Sequence, residues 1–77
     1  MKVPALSSKR FKRLLESNGC YCVRQGATDH AIFAKQTFER KFAAPVQMGK
    51  QELSPIYIKL VLKQLGFSSQ DIKRIFK

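Results

Sequence analysis

The sequence has few acidic residues and no long apolar run. Five residues are Asp or Glu against 15 Lys and Arg, so the formal net charge is +10 in 77 residues. We expect a polyanionic partner, nucleic acid first, although an acidic protein partner fits the same charge and the two can coexist. No apolar stretch is long enough to span a bilayer, and no signal-peptide segment follows Met1. We therefore expect a soluble, cytoplasmic protein without a membrane partner.

Cysteine and histidine are also scarce, which limits disulfide and metal chemistry. Cys20 and Cys22 are the only cysteines, and His30 is the only histidine. Cysteines two residues apart on a strand have poor disulfide geometry, because their side chains stand side by side. Two sulfurs and one imidazole form an incomplete zinc site. We predict two small, buried, reduced cysteines and no metal or other cofactor.

The chain length allows one domain with one small core. The sequence shows no internal repeat, low-complexity segment or linker, so we assign residues 1–77 to one domain. Ser7 or Ser8 is predicted to begin a first helix that ends at Asn18-Gly19. Its apolar face consists of Phe11, Leu14 and Leu15. Strands are predicted at residues 20–25, 30–35 and 40–46, with Pro45 favouring an edge position for the third.

A second helix is predicted to start at Ser54-Pro55 and to stop at Gly66. Its apolar positions are wider than one stripe, which predicts deep burial; they are Ile56, Ile58, Leu60, Val61, Leu62 and Leu65. Ser68 or Ser69 then begins a short C-terminal helix. The pattern predicts an α+β fold, α-β-β-β-α plus the short helix. Two helices would cover one face of a three-stranded antiparallel sheet and leave the other face free.

The stretch between the first two predicted strands concentrates polar chemistry. It reads Arg24-Gln25-Gly26-Ala27-Thr28-Asp29-His30. By spacing alone, a lone histidine at the start of a strand is more often a surface residue than a catalyst. Thr28 and Asp29 are ordinary turn residues on the same grounds. Arg24 fits a solvated strand charge as well as a phosphate contact.

Several segments, in this order, resemble the HicA toxin family. They are residues 11–19, the strand end at 23–25, the turn that leads to His30, and residues 60–66. Where the family's turn has glycine, a hydroxyl residue, a variable residue and the functional histidine, this chain has Ala27, Thr28, Asp29 and His30. Family members are small mRNA interferases with a double-stranded-RNA-binding-like fold, and a HicB-type antitoxin neutralises them.

The resemblance implies a toxin that cleaves mRNA as a metal-independent endoribonuclease with His30 as the catalytic group. Oligomers could form through the HicB-type antitoxin. A neutral imidazole is a suitable base for the 2′-hydroxyl proton. The second group stays open among water, Tyr21, Lys35 and Asp29. The residues expected to contact RNA are Arg10, Arg24, Thr28, Lys35, Lys59 and Lys63, and Tyr21 or Phe33 is a candidate to stack on a base.

Two other functions fit the sequence. The same fold without catalysis would be an RNA-binding module, in which His30 only modulates affinity. Residues 54–65 and 69–77 also have the spacing of a DNA-binding helix-turn-helix. The last segment offers only Gln70 to read bases, and its apolar residues favour a tail that docks on the core.

Overall fold

The computed structural model describes residues 3–25 and 29–76. Its elements are α1 (Ser8–Ser17), β1 (Cys20–Gln25), β2 (His30–Gln36), β3 (Lys41–Gln47), α2 (Pro55–Gln64) and α3 (Ser69–Ile75). The predicted α+β fold is confirmed, and the predicted second and third strands each differ from β2 and β3 by one residue at their ends. Residues 26–28, which include Thr28, lie outside the described residues.

Serine side chains begin all three helices of the described chain. The hydroxyls of Ser7, Ser54 and Ser68 each accept a hydrogen bond from the backbone N–H three residues later. Each bond satisfies an N–H that has no carbonyl partner within its helix. Pro55 follows Ser54 at the first helical position, as predicted. Across the described ranges, no helix combines the length and apolarity needed to cross a membrane.

The three strands form one antiparallel sheet with β2 in the centre. One face of this sheet carries the buried pairs Phe33–Ala44 and Ala31–Val46. The apolar sides of the helices complete the same core; their fully buried side chains include Phe11, Leu15, Ile58, Leu62, Leu65 and Ile72. Because Ile72 is in this core, α3 docks on the domain, as the C-terminal apolar pattern suggests. Phe33 is buried, so it cannot stack on a base.

The second helix is less buried than the sequence predicts. Ile58 and Leu62 are fully buried, whereas Ile56 is 82% exposed and Leu60 is 54% exposed. The prediction of deep burial for all apolar positions of α2 was wrong. A helix that packs on a single sheet layer buries only one side, and Ile56 and Leu60 lie one turn apart on the other side.

The two cysteines of β1 have different environments, and the prediction that both are buried was wrong for one of them. Cys20 is buried, and this burial raises the pKa of its thiol although Lys35 acts in the opposite direction. Cys22 is exposed. β1 is an edge strand with β2 as its single neighbour, which leaves more of its length open to solvent than a central strand has. Both thiols are free.

Candidate functional site

The sheet face opposite the helices presents the histidine that the sequence singles out. Residues that pair directly across an antiparallel sheet point to the same face. From one end to the other, the rows of this open face are Gln36–Lys41, Tyr21–Ala34–Ala43, Arg24–Ile32–Pro45 and His30–Gln47. Successive rows are about 7 Å apart along the strands. We call this surface the open face.

A β-bulge in β1 places Arg24 on the open face. Cys22 pairs with Phe33 and Arg24 pairs with Ile32, so Val23 is an extra residue between them. Strict alternation would put Arg24 on the same face as Cys20 and Cys22, which is the helix-packed face because Cys22 pairs with Phe33. The extra residue shifts the alternation by one. Arg24 is therefore one row from His30, and their Cα atoms are about 8 Å apart by strand spacing.

His30 is exposed and pairs with Gln47 at the end of β3. The backbone N–H of Gln47 donates to the Tyr57 hydroxyl at 2.9 Å, and its carbonyl accepts from the Ser8 hydroxyl at 2.8 Å. Because both backbone groups of Gln47 point away from β2, His30 and Gln47 form a non-hydrogen-bonded pair. Side chains are closest in such pairs, with Cα atoms about 4.5 Å apart. The Gln47 side chain is therefore the direct neighbour of the imidazole on β3.

Hydrogen bonds from both large helices hold this end of the sheet. The Ser8 hydroxyl donates to Gln47 and also accepts from the backbone N–H of Lys50 at 3.0 Å. On the other strand, the N–H of Met48 donates to the carbonyl of Asp29, one residue before His30. The ladder thus continues past His30, so α1, α2 and β3 together set the position of the histidine backbone.

The other predicted site residues lie apart from His30. Lys35 is on the helix-packed face of β2, five residues after His30, which separates their Cα atoms by about 17 Å. Its ammonium is 3.9 Å from the centre of the Phe67 ring. Arg10 is exposed on α1, and Lys59 and Lys63 are exposed on α2. Of the predicted RNA-contacting residues that the structure describes, it brings only Arg24 onto the face of His30.

The candidates for a second catalytic group are also reduced. Lys35 is excluded by its face and its distance. Tyr21 is on the open face but two rows away, about 14 Å from His30 at the Cα atoms, which is beyond hydrogen-bond reach of one phosphate. Asp29 is exposed and adjacent in the chain. Asp29 and water therefore remain.

The open face has basic side chains without acidic partners in the described chain. Among the residues that the structure describes, the one salt bridge is on α3, where it joins Arg74 to Asp71 at 3.4 Å. Lys41 instead stands over the Tyr21 ring, with its ammonium 5.9 Å from the ring centre. Sequence reasoning missed both Lys41 and Gln47, because a side chain's neighbours across a sheet depend on strand register. Register depends on the hydrophobic pattern of both strands together with the geometry of the turn between them.

One of three comparisons with known proteins gave a match, and it covers most of the chain. A family model described as the HicA toxin of bacterial toxin-antitoxin matches residues 8–67. The match runs from the start of α1 to Phe67, so α3 follows it. Neither the comparison with curated proteins nor that with solved structures gave a match.

Proposed function

The chain belongs to the HicA family of toxins from bacterial toxin-antitoxin pairs, and we propose that it is an endoribonuclease that cleaves mRNA with His30, without a metal. The observation that carries this proposal is the row His30–Gln47 on the open face, one row from Arg24. An exposed imidazole beside a guanidinium is suited to a phosphodiester, because one group handles a proton and the other a negative charge.

The proposed reaction uses the RNA's own 2′-hydroxyl as the nucleophile. His30 accepts the 2′-hydroxyl proton, the 2′-oxygen bonds to the adjacent phosphorus, and the bond from phosphorus to the 5′-oxygen breaks. The products are a 2′,3′-cyclic phosphate and a free 5′-hydroxyl. Arg24 stabilises the charge that develops on the phosphate oxygens. The proton for the 5′-oxygen comes from water, since an ionised carboxylate has no proton to donate.

The partner follows from the family. A toxin of a toxin-antitoxin pair has an antitoxin partner, and we propose that it is of the HicB type and acts with the toxin in the cytoplasm, where mRNA is available. A chain with net charge +10 favours an acidic partner of this kind. Oligomers would then form through the antitoxin.

The first experiment is incubation of purified protein with a labelled mRNA in EDTA, with wild type beside His30→Ala. We expect cleavage by the wild type and a rate lower by about 10² to 10⁴ in the variant, the usual contribution of a general base. Gln64→Ala, a substitution of an exposed polar residue of α2, is the matched control. Circular dichroism of each variant checks that it is folded.

Two results would contradict the proposal. A folded His30→Ala protein that cleaves as fast as wild type would remove the histidine from the mechanism. RNA that stays intact with every protein, yet is retarded on a gel, would favour the RNA-binding module instead. Mapping the cut ends adds a check, because the proposed reaction leaves a cyclic phosphate on one fragment.

A further inference from the structure

Tyr21 is an exposed aromatic residue on the same face as His30. Its side chain is 43% exposed, in the row Tyr21–Ala34–Ala43. The two alanines beside it are too small to cover its ring. The Lys41 ammonium, which comes from the far strand, is 5.9 Å from the ring centre. An aromatic ring beside an ammonium is the pair that binds a nucleotide through its base and its phosphate.

The space between Tyr21 and His30 continues this chemistry. The row between them is Arg24–Ile32–Pro45, with a guanidinium at one edge and an apolar floor across β2 and β3. From row to row along the open face, the Tyr21 ring is therefore followed by the Arg24 guanidinium and then by the His30 imidazole, over about 14 Å. The bulge at Val23 is what completes it, since a regular β1 would turn Arg24 to the opposite face.

We propose that the open face is a binding track for single-stranded RNA, in which Tyr21 stacks on an unpaired base and Lys41 and Arg24 hold the phosphates that lead to His30. This inference rests on the proposed ribonuclease function, and it adds the strandedness of the substrate and the residue that holds it. Tyr21 binds substrate at a distance from the reacting phosphate, so its contribution is to affinity.

The geometry favours a single strand over a duplex. In an A-form duplex the bases are stacked on each other, and their faces are not available to a side chain. Stacking on Tyr21 requires a base that is splayed out of any helix. The ring, the apolar row and the cations lie on one surface, which matches a strand that exposes both bases and phosphates.

The test measures binding of a fluorescent RNA oligonucleotide with 2′-O-methyl groups, which cannot be cleaved by the proposed reaction. The proteins are wild type, Tyr21→Leu, Tyr21→Phe and Cys22→Ser, the last a control at an exposed residue of β1 that pairs with Phe33 on the opposite face. We expect Tyr21→Leu to weaken single-strand binding by about 5- to 150-fold, the range for one stacked base. Tyr21→Phe keeps the ring and Cys22→Ser lies off the open face, so both should stay within about twofold of wild type.

The same proteins are titrated with the duplex form of the oligonucleotide and assayed for cleavage at saturating RNA. We expect Tyr21→Leu to cleave at nearly the wild-type kcat with a raised KM. Equal affinity of Tyr21→Leu and wild type for the single strand would overturn the track, and so would tighter binding of the duplex. Loss of antitoxin binding by Tyr21→Leu with unchanged RNA affinity would also overturn it. Because the binding assay needs no cleavage, its failure is separate from failure of the His30 mechanism.

Discussion

Gly66 links α2 to α3 in a conformation that other residues rarely adopt. Its φ is +88°, and a Cβ atom at this position would lie 2.7 Å from carbons of the Phe42 ring. Any side chain at position 66 would therefore destabilise the fold in two ways, through the left-handed backbone conformation and through a clash with the half-buried Phe42 ring. Gly49 also has a positive φ, +74°, but a Cβ atom there would meet no neighbouring side chain or backbone within 4 Å.

This difference predicts unequal effects of alanine at the two glycines. Gly66→Ala should lower the free energy of unfolding by about 2 to 5 kcal/mol, the backbone cost plus the cost of overpacking. Gly49→Ala should lose only the backbone cost, about 1 to 2 kcal/mol. Urea denaturation of the three proteins measures both. Equal losses would show that Phe42 moves aside without cost.

Single residues were predictable from the sequence where their signal is local. The serine caps and the start of β2 at His30 are set by neighbours in the chain, and the structure has them where they were predicted. Gln47 as the neighbour of His30 was not predictable, because strand register is a long-range property. The face of Arg24 was not predictable either, since strict alternation groups Arg24 with Cys20 and Cys22 and contains no sign of the bulge at Val23.

At the scale of elements, α3 depends on a capping box. The Ser68 hydroxyl accepts from the Asp71 N–H, and the Asp71 carboxylate accepts from the Ser68 N–H at 2.9 Å. The backbone hydrogen bond from Ser68, followed by its hydroxyl, holds the pKa of Asp71 below its ordinary value. A lowered pKa means that the folded state favours the charged carboxylate, so this contribution is complete above the unfolded pKa of about 3.9. It is lost as the pH falls through the lower, folded pKa.

Asp71→Asn should therefore destabilise the protein at pH 7 and make progressively less difference as the pH falls below the ordinary carboxyl pKa of about 3.9, because protonation then weakens the box in the wild type. The measurement is urea denaturation of both proteins between about pH 2 and 7, a range that extends well below the ordinary carboxyl pKa of about 3.9, with the difference in unfolding free energy plotted against pH. Glu52→Gln, a change at another exposed carboxylate, controls for the general loss of negative charge. A difference that does not change with pH would mean that the carboxylate charge has no part in the cap.

The order and type of the elements were predictable, and their depth of burial was not. Apolar spacing locates α2, but it cannot show how many layers cover a helix. Here one sheet packs against α2, so Ile58 and Leu62 are buried while Ile56 and Leu60 face solvent. The exposed pair lies on the side of Lys59 and Lys63, away from the sheet.

At the scale of the whole molecule, the net charge of +10 does not by itself locate the RNA. Basic side chains lie on both sides of the protein, with Arg24 and Lys41 on the open face and Lys59 and Lys63 on the outer side of α2. Both sets attract a polyanion at long range. Only the basic residues that contact phosphates cause the release of counterions when RNA binds.

Salt dependence of binding can therefore separate the two sides. For single strands, the plot of log K against log salt concentration loses about 0.7 in slope for each phosphate contact that is removed. We expect Lys41→Gln to reduce the slope by about this amount, and Lys59→Gln and Lys63→Gln to leave it unchanged, because their side of α2 faces away from the open face. The measurement is fluorescence titration with the 2′-O-methyl strand between about 50 and 200 mM salt, the range over which such slopes are resolved. The opposite pattern would place the RNA across the helices, where the sequence-based assignment of Lys59 and Lys63 has it, and would leave His30 on the far side of the molecule from its substrate.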